Sequence, residues 1–135
     1  MNELMNIVLD IRSLLWAFLD TPRIEKRRMD IILSEYTEIF YSQASLWEIS
    51  IKYNLGKLIL EGISPENLYR EIENSFLRCR TFTNDERISF YKLQIEQRTP
   101  FDRILAWQAI TSDYFFLSSN GKADASIQYG LKILH

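Results

Sequence analysis

The chain has 135 residues, 47% hydrophobic and 25% charged, with a formal net charge of −2. That is the composition of one folded domain rather than a disordered segment, and it offers no overall basic field to attract nucleic acid, although a local basic patch or a cation-bridged contact stays open. Cys79 is the only cysteine and His135 the only histidine, which rules out an intrachain disulfide and argues against His-based triads and His-rich metal sites.

No apolar run approaches membrane-spanning length, and Met1-Asn2-Glu3 is not the basic start of a signal peptide, so a cytoplasmic protein without membrane contact is expected. Ile7-Val8-Leu9-Asp10 is a short apolar run without alternation that ends in a carboxylate. The pattern predicts a strand buried on both faces. In mid-sheet, Asp10 would stand beyond the strand's carboxyl end, where open α/β sheets bind ligands. Leu14, Leu15, Phe18 and Leu19 then fall on one helical face, and Asp20-Thr21-Pro22 breaks that helix. A second helix is predicted roughly from Arg23 to Ser34. Its Glu25-Lys26-Arg27-Arg28 run reads as a solvated face, with phosphate contact as the alternative.

Glu38 to Ser42 predicts a second strand, and Ser42 a cap for the helix that carries Leu46 to Tyr53 and stops at Gly56. Leu46, Ile49 and Tyr53 share one face of this helix, with Trp47 and Ile51 on a neighbouring one. Glu48 lies within it and has two readings: a solvent-facing helical acid, or a carboxylate pointing into the crevice that holds Asp10. Ser64 and Pro65 start a helix carrying Leu68, Ile72, Phe76 and Leu77. Cys79 to Phe82 predicts a short strand, and Asn84 to Leu93 a helix packing Ile88, Tyr91 and Leu93.

Thr99 and Pro100 start a further helix, with Asp102 in its first turn, where the helix dipole favours a carboxylate whatever else it does. Phe101, Leu105 and Ala109 form one ladder on it, Ile104 and Gln108 another. Tyr114 to Ser118 is a third clear strand, Ser119-Asn120-Gly121 a turn, and Leu131 to Leu134 a last short strand. Strands alternating with helices predict an α/β fold, a parallel sheet covered on both faces. Trp16, Trp47, Trp107 and the Tyr114-Phe115-Phe116 run are read mainly as core, with any remainder available to a homodimer or a partner helix.

Asp10, Glu48 and Asp102 all fall near strand ends or first helical turns. Crowded carboxylates repel, and a hard divalent cation with oxygen ligands relieves that repulsion. On spacing alone the grouping is a weak signal.

At these residues the sequence resembles the PIN-domain ribonucleases, specifically the VapC-type toxins of toxin–antitoxin pairs. Leu9-Asp10 with Leu14-Leu15-Trp16, Ser45-Leu46-Trp47-Glu48-Ile49 with Lys52 and Leu55-Gly56-Lys57-Leu58, and Pro100-Phe101-Asp102-Arg103-Ile104-Leu105-Ala106 with Gln108-Ala109 carry it, in that order, over nearly the whole chain. The resemblance implies a single PIN-like three-layer domain spanning 1–135. It also implies Mg²⁺- or Mn²⁺-dependent cleavage of RNA, dimerisation, and inhibition by a cognate antitoxin. By the same resemblance Asp10, Glu48 and Asp102 are the catalytic and metal-holding acids, and Asn120 stands at the fourth metal position. Ser45 and Arg103, within the matching segments, are candidates for RNA contact; Arg12 joins them on its charge alone, a cation beside Asp10 that would compete with a metal or instead grip a phosphate.

Four positions depart from the family pattern. Ile11 and Arg12 replace a small hydroxyl residue and a His or Ser after the first acid, and Thr99 replaces a common Asp. Asn120 replaces the fourth acid, supplying an oxygen without a charge. Three readings follow: a metal-dependent endoribonuclease, a PIN-fold protein whose nuclease centre has decayed and which acts by binding RNA or protein, and an α/β domain with no shared acidic site.

Overall fold

The computed structural model describes residues 4–19, 25–94, 99–118 and 125–134. Ile7, Val8 and Leu9 end strand β1 (Met5–Leu9), and none is more than 1% exposed. A strand with no polar face needs cover on both sides, which puts it inside a sheet rather than at an edge. β2 (Thr37–Ser42) pairs parallel on one flank of β1, with β3 (Arg78–Arg80) outside it; β4 (Phe115–Leu117) pairs parallel on the other flank, with β5 (Lys132–Leu134) outside that. The sheet order is therefore β3-β2-β1-β4-β5.

Alternation along each strand feeds two separate cores. Ile7, Leu9, Ile39, Tyr41 and Leu117 join Ile11 and Leu14 of α1 (Ile11–Leu19), Ile32 of α2 (Lys26–Leu33), and Leu68 and Ile72 of α4 (Pro65–Glu73). Val8, Phe40 and Phe116 point the other way and meet Leu105, Ala106, Trp107 and Ala109 of α6 (Pro100–Ser112). α3 (Gln43–Asn54) gives Ile49 to the first core and Ala44 to the second, so it bridges the two layers.

This arrangement follows from handedness. Parallel crossovers are right-handed, and the chain moves outward from β1 to β3 and then jumps back to β4 on the far side. Reversing the direction of travel reverses the face on which the connecting helices land. The reversal lies between β1 and β4, so the loops leaving their carboxyl ends splay apart and open a crevice there.

Local signals set the helix ends. The Ser42, Ser64 and Thr99 hydroxyls accept from the backbone N–H groups of Ala44, Asn67 and Asp102, and Pro65 and Pro100 occupy first helical turns. Gly56, just past α3, has φ of 71°, a conformation that glycine adopts without steric penalty.

Several expectations need correction. Arg28 is not part of a solvated face; it is 6% exposed. The third strand is Arg78–Arg80 rather than Cys79 to Phe82, because Thr83 is taken up as the cap of α5 (Asn84–Ser89) in a reciprocal capping box with Glu86. The predicted continuous helix to Leu93 tightens into a 3₁₀ turn at Phe90–Lys92, which breaks the 3.6-residue period. Ile88 and Tyr91 are consequently exposed, while Glu86 and Leu93 are buried. α4 ends at Glu73, so Phe76 lies beyond it and is exposed. A second 3₁₀ turn, Ala125–Tyr129, was not anticipated. The expected breaks at Asp20-Thr21-Pro22 and Ser119-Asn120-Gly121 lie outside the described residues. No helix among the described residues is long and apolar enough to cross a membrane.

Candidate functional site

Asp10 follows β1 directly and is 6% exposed. Its backbone N–H continues the sheet by donating to the Leu117 carbonyl at 3.0 Å, and its Oδ1 accepts from Ser13 N at 2.8 Å. The same carboxylate thus caps α1 and is locked in orientation at the mouth of the crevice.

Glu48 settles one of the open alternatives. It does not face solvent; it is 2% exposed. Its helix starts directly at the carboxyl end of β2 and is apolar around much of its circumference, so it is buried on more than one side. Lys52, one turn on, places Nζ 2.5 Å from Glu48 Oε2, while Glu48 Oε1 has no hydrogen-bond partner among the described residues. Burial pushes the Glu48 pKa above its ordinary value, the Lys52 hydrogen bond and charge pull it back, and the negative charges of Asp102 and Asp10 push it up again. Glu48 therefore feels the charge of both other acids.

Asp102 is half-buried in the first turn of α6, and its backbone N–H donates to Thr99 Oγ1 at 3.3 Å. α3 and α6 are held together beside these acids by two contacts. Trp47 and Phe101, the residues preceding Glu48 and Asp102, meet edge to face with ring centres 5.5 Å apart. Deeper in, Ser42 Oγ donates to Gln108 Oε1 at 2.5 Å, and Gln108 Nε2 donates to the Thr81 carbonyl at 3.2 Å.

The other expected residues are placed differently. Arg12 is exposed, whereas Ser45 is fully buried in the first turn of α3, and its Oγ has no hydrogen-bond partner. Arg103 is half-buried, with its guanidinium 5.5 Å from the centre of the Phe90 ring. Asn120 lies outside the described residues.

Three further residues have a place at the site that the sequence does not assign them. Ser13 is fully buried one turn from Asp10, with its hydroxyl unpartnered. Arg28 reaches from α2 to the carboxyl end of β4, where Nη1 donates to the Ser118 carbonyl at 2.6 Å. No local signal marks that contact, since 90 residues separate the partners. Lys52 had a signal: an acid followed by a lysine four residues later is a helical ion pair in its better orientation.

The available donors are carboxylates and hydroxyls, the hard oxygen set that Mg²⁺ and Mn²⁺ prefer, and the partnerless Glu48 Oε1 is a buried acceptor suited to such an ion. The residues present fit a divalent cation in this chemical sense. As the side chains stand, no group of three or more His, Cys, Asp or Glu among the described residues is close enough to enclose one. Lys52 holds the other oxygen of Glu48.

No protein-family model and no curated protein sequence matches the chain. Solved structures do. A chain of VapBC2 from Rickettsia felis, bound to a DNA fragment from their promoter, aligns with TM-score 0.65 and 16% identity over 96% of this chain and 98% of that one. DNA-bound VapBC from Salmonella typhimurium aligns with TM-score 0.65 and 16% identity over 97% and 98%. FitAcB from Neisseria gonorrhoeae aligns with TM-score 0.63 and 13% identity over 96% of each chain. At such identities the likeness is one of architecture: the chain has the PIN-like three-layer α/β fold of these VapBC and FitAcB chains, a five-stranded parallel sheet with helices on both faces.

Proposed function

We propose that the protein is a metal-dependent endoribonuclease that acts as the toxin of a toxin–antitoxin pair. The observation that carries the reading is Glu48: a carboxylate buried beside the sheet's switch point, with one oxygen unpartnered and two other acids close enough to raise its pKa. Burying a carboxylate with one oxygen left without a donor is costly, and functional sites are where that cost persists. The fold shared with VapBC and FitAcB chains supports the toxin assignment and an antitoxin partner. RNA as substrate and a homodimer rest on the sequence resemblance.

Asp10, Glu48 and Asp102 would hold the cation, with Asn120 offering a neutral oxygen at the fourth position. The chemistry a bound Mg²⁺ or Mn²⁺ supplies is activation of water and neutralisation of charge developing on the phosphodiester. The chain's own contribution is positioning. Ser13 N fixes the Asp10 carboxylate, the Trp47–Phe101 and Ser42–Gln108 contacts fix α3 against α6, and burial keeps water from screening Glu48. In this reading exposed Arg12 meets a phosphate; Ser45 is buried and Arg103 half-buried.

One feature favours the second reading, a decayed centre acting by binding. Glu48 already has a cationic partner in Lys52, and Asn120 brings no charge. Cleavage of single-stranded RNA with Mg²⁺ or Mn²⁺ separates the two, using wild type, Asp10→Ala and Asn120→Asp. The nuclease reading expects wild-type cleavage that falls by about a hundredfold or more in Asp10→Ala. Cleavage only after Asn120→Asp assigns a decayed centre, and no cleavage by either protein rejects the nuclease reading.

A further inference from the structure

Lys52 and Glu48 are unequal partners. The Lys52 side chain is 41% exposed and the Glu48 side chain 2% exposed. Glu48 cannot leave its position without opening the core, whereas a lysine has a flexible four-carbon stem and can swing into solvent. The root of that stem is fixed. The Lys52 carbonyl accepts from Lys57 N at 2.9 Å and from Leu58 N at 3.2 Å as the chain turns through Gly56 and ends α3. Lys52 thus stands in the last turn of α3, where the helix dipole favours a cation. It is a mobile positive charge on a rigid base, facing a fixed negative one.

We propose that Lys52 is a built-in counter-ion of the acid cluster, which a divalent cation must displace from Glu48 in order to bind. The inference rests on the cation reading above and deepens it by naming the residue that regulates loading. Without a cation, Lys52 neutralises the buried carboxylate and keeps the acids tolerable side by side. With one, two positive groups compete for the same carboxylate, so the ammonium turns outward and is solvated. Coupling between two ligands of one group is reciprocal: whatever Lys52 costs the cation in affinity, the cation costs the Lys52–Glu48 pair.

The test is Mn²⁺ titration calorimetry on the full chain at pH 8, comparing wild type with Lys52→Met, Lys52→Arg and Lys57→Met. Methionine keeps most of the apolar stem and removes the charge. Lys57, exposed in the turn after α3, controls for a general loss of one positive charge. The proposal expects Lys52→Met to bind Mn²⁺ roughly tenfold more tightly than wild type, within the range usual for coupled sites. It expects Lys52→Arg and Lys57→Met to stay near wild type. Equal or weaker binding by Lys52→Met overturns it, as does absence of binding in both wild type and Lys52→Met. Should Lys52→Met fail to fold, the wild-type protein decides by NMR of the lysine ammonium groups during Mg²⁺ addition. Loss of the carboxylate-paired Lys52 signal at saturation supports displacement, and its persistence overturns it.

RNA cleavage measured in parallel keeps the two claims apart. Lys52-dependent cation binding without cleavage upholds the counter-ion and removes the nuclease. Cleavage with unchanged affinity in Lys52→Met does the reverse.

Discussion

Two buried glutamates, on different helices, have opposite surroundings. Glu86, 5% exposed, has both oxygens engaged: Oε1 accepts from Thr83 N at 3.0 Å and Thr83 Oγ1 at 3.1 Å, while Oε2 accepts from Arg80 Nη2 at 2.8 Å and Thr111 Oγ1 at 2.7 Å. Arg80 is further anchored by Ser112 Oγ and the Thr81 carbonyl. Glu48, 2% exposed, has one partner, one unpartnered oxygen and two acids for company. Burial alone thus does not identify a functional carboxylate. A closed hydrogen-bond network, as at Glu86, fastens the end of β3 to α5 and α6. An open one, as at Glu48, is held in place by the fold around it and leaves an acceptor for something else.

The comparison is most severely tested at Glu86. Glu86→Ala leaves Arg80, whose side chain is 17% exposed, without its acid, and breaking a pair with one fully buried partner approaches the cost of about 3–5 kcal/mol for a broken buried pair. Urea unfolding should show a loss of that size, with no Mn²⁺ needed to reveal it. A loss under about 1 kcal/mol would mean that Glu86 is no better served than Glu48.

Gln108→Leu comes next. It strands the fully buried Ser42 hydroxyl and frees the Thr81 carbonyl, at about 1–3 kcal/mol. Because Ser42, the cap of α3, and Gln108 join that helix start to α6, the proposed nuclease reading expects RNA cleavage to fall as well, and single-turnover kinetics on protein that is still folded would show it. Unchanged cleavage would detach the helix-to-helix contact from the site.

Glu48→Gln should behave unlike any change at Glu86. The folded-state pKa of Glu48 lies above its ordinary value of 4.5, so between the two the folded chain binds more protons than the unfolded one. Ionised Glu48 therefore subtracts stability, beginning as pH rises past the ordinary value and reaching its full extent above the raised one. The size is about 1.4 kcal/mol for each unit of separation. Relative to wild type, Glu48→Gln should gain stability as pH rises through this window in thermal unfolding without added metal. A stability difference that does not change with pH would show that Glu48 is charged at no cost, and contradict the account.

The smallest effect is expected at Trp47. Trp47 is 62% exposed, and Trp47→Ala removes an edge-to-face contact worth about 0.5–1.5 kcal/mol. Thermal unfolding should register little more than that; a larger loss would assign the indole to the core.

The sequence was most readable where chemistry is local. Ile7 to Leu9 has no polar face, which is enough to place β1 in mid-sheet and Asp10 at its carboxyl end. Ser42, Ser64 and Thr99 announce helix starts because a short hydroxyl side chain satisfies backbone N–H groups a few residues away. Contacts made only in three dimensions were hidden. Arg28 sits in a four-charge run that resembles a solvated surface, and nothing near it in sequence points to the Ser118 carbonyl. The side Glu48 takes could not be read because α3 is apolar on several faces. The exposure of Ile88 and Tyr91 is hidden in the sequence, whose apolar spacing suits a regular helix to Leu93, whereas the chain tightens into a 3₁₀ turn at Phe90–Lys92.

The central claim is that Glu48, with Asp10 and Asp102, makes a cation site, while Glu86 serves the fold. Mn²⁺ titration of wild type, Asp10→Ala, Glu48→Gln and Glu86→Gln tests it directly. The account predicts that wild type and Glu86→Gln bind one Mn²⁺ per chain with similar affinity, and that Asp10→Ala and Glu48→Gln lose binding by tenfold or more, about 1.4 kcal/mol at the least. Wild-type affinity in Glu48→Gln would contradict it.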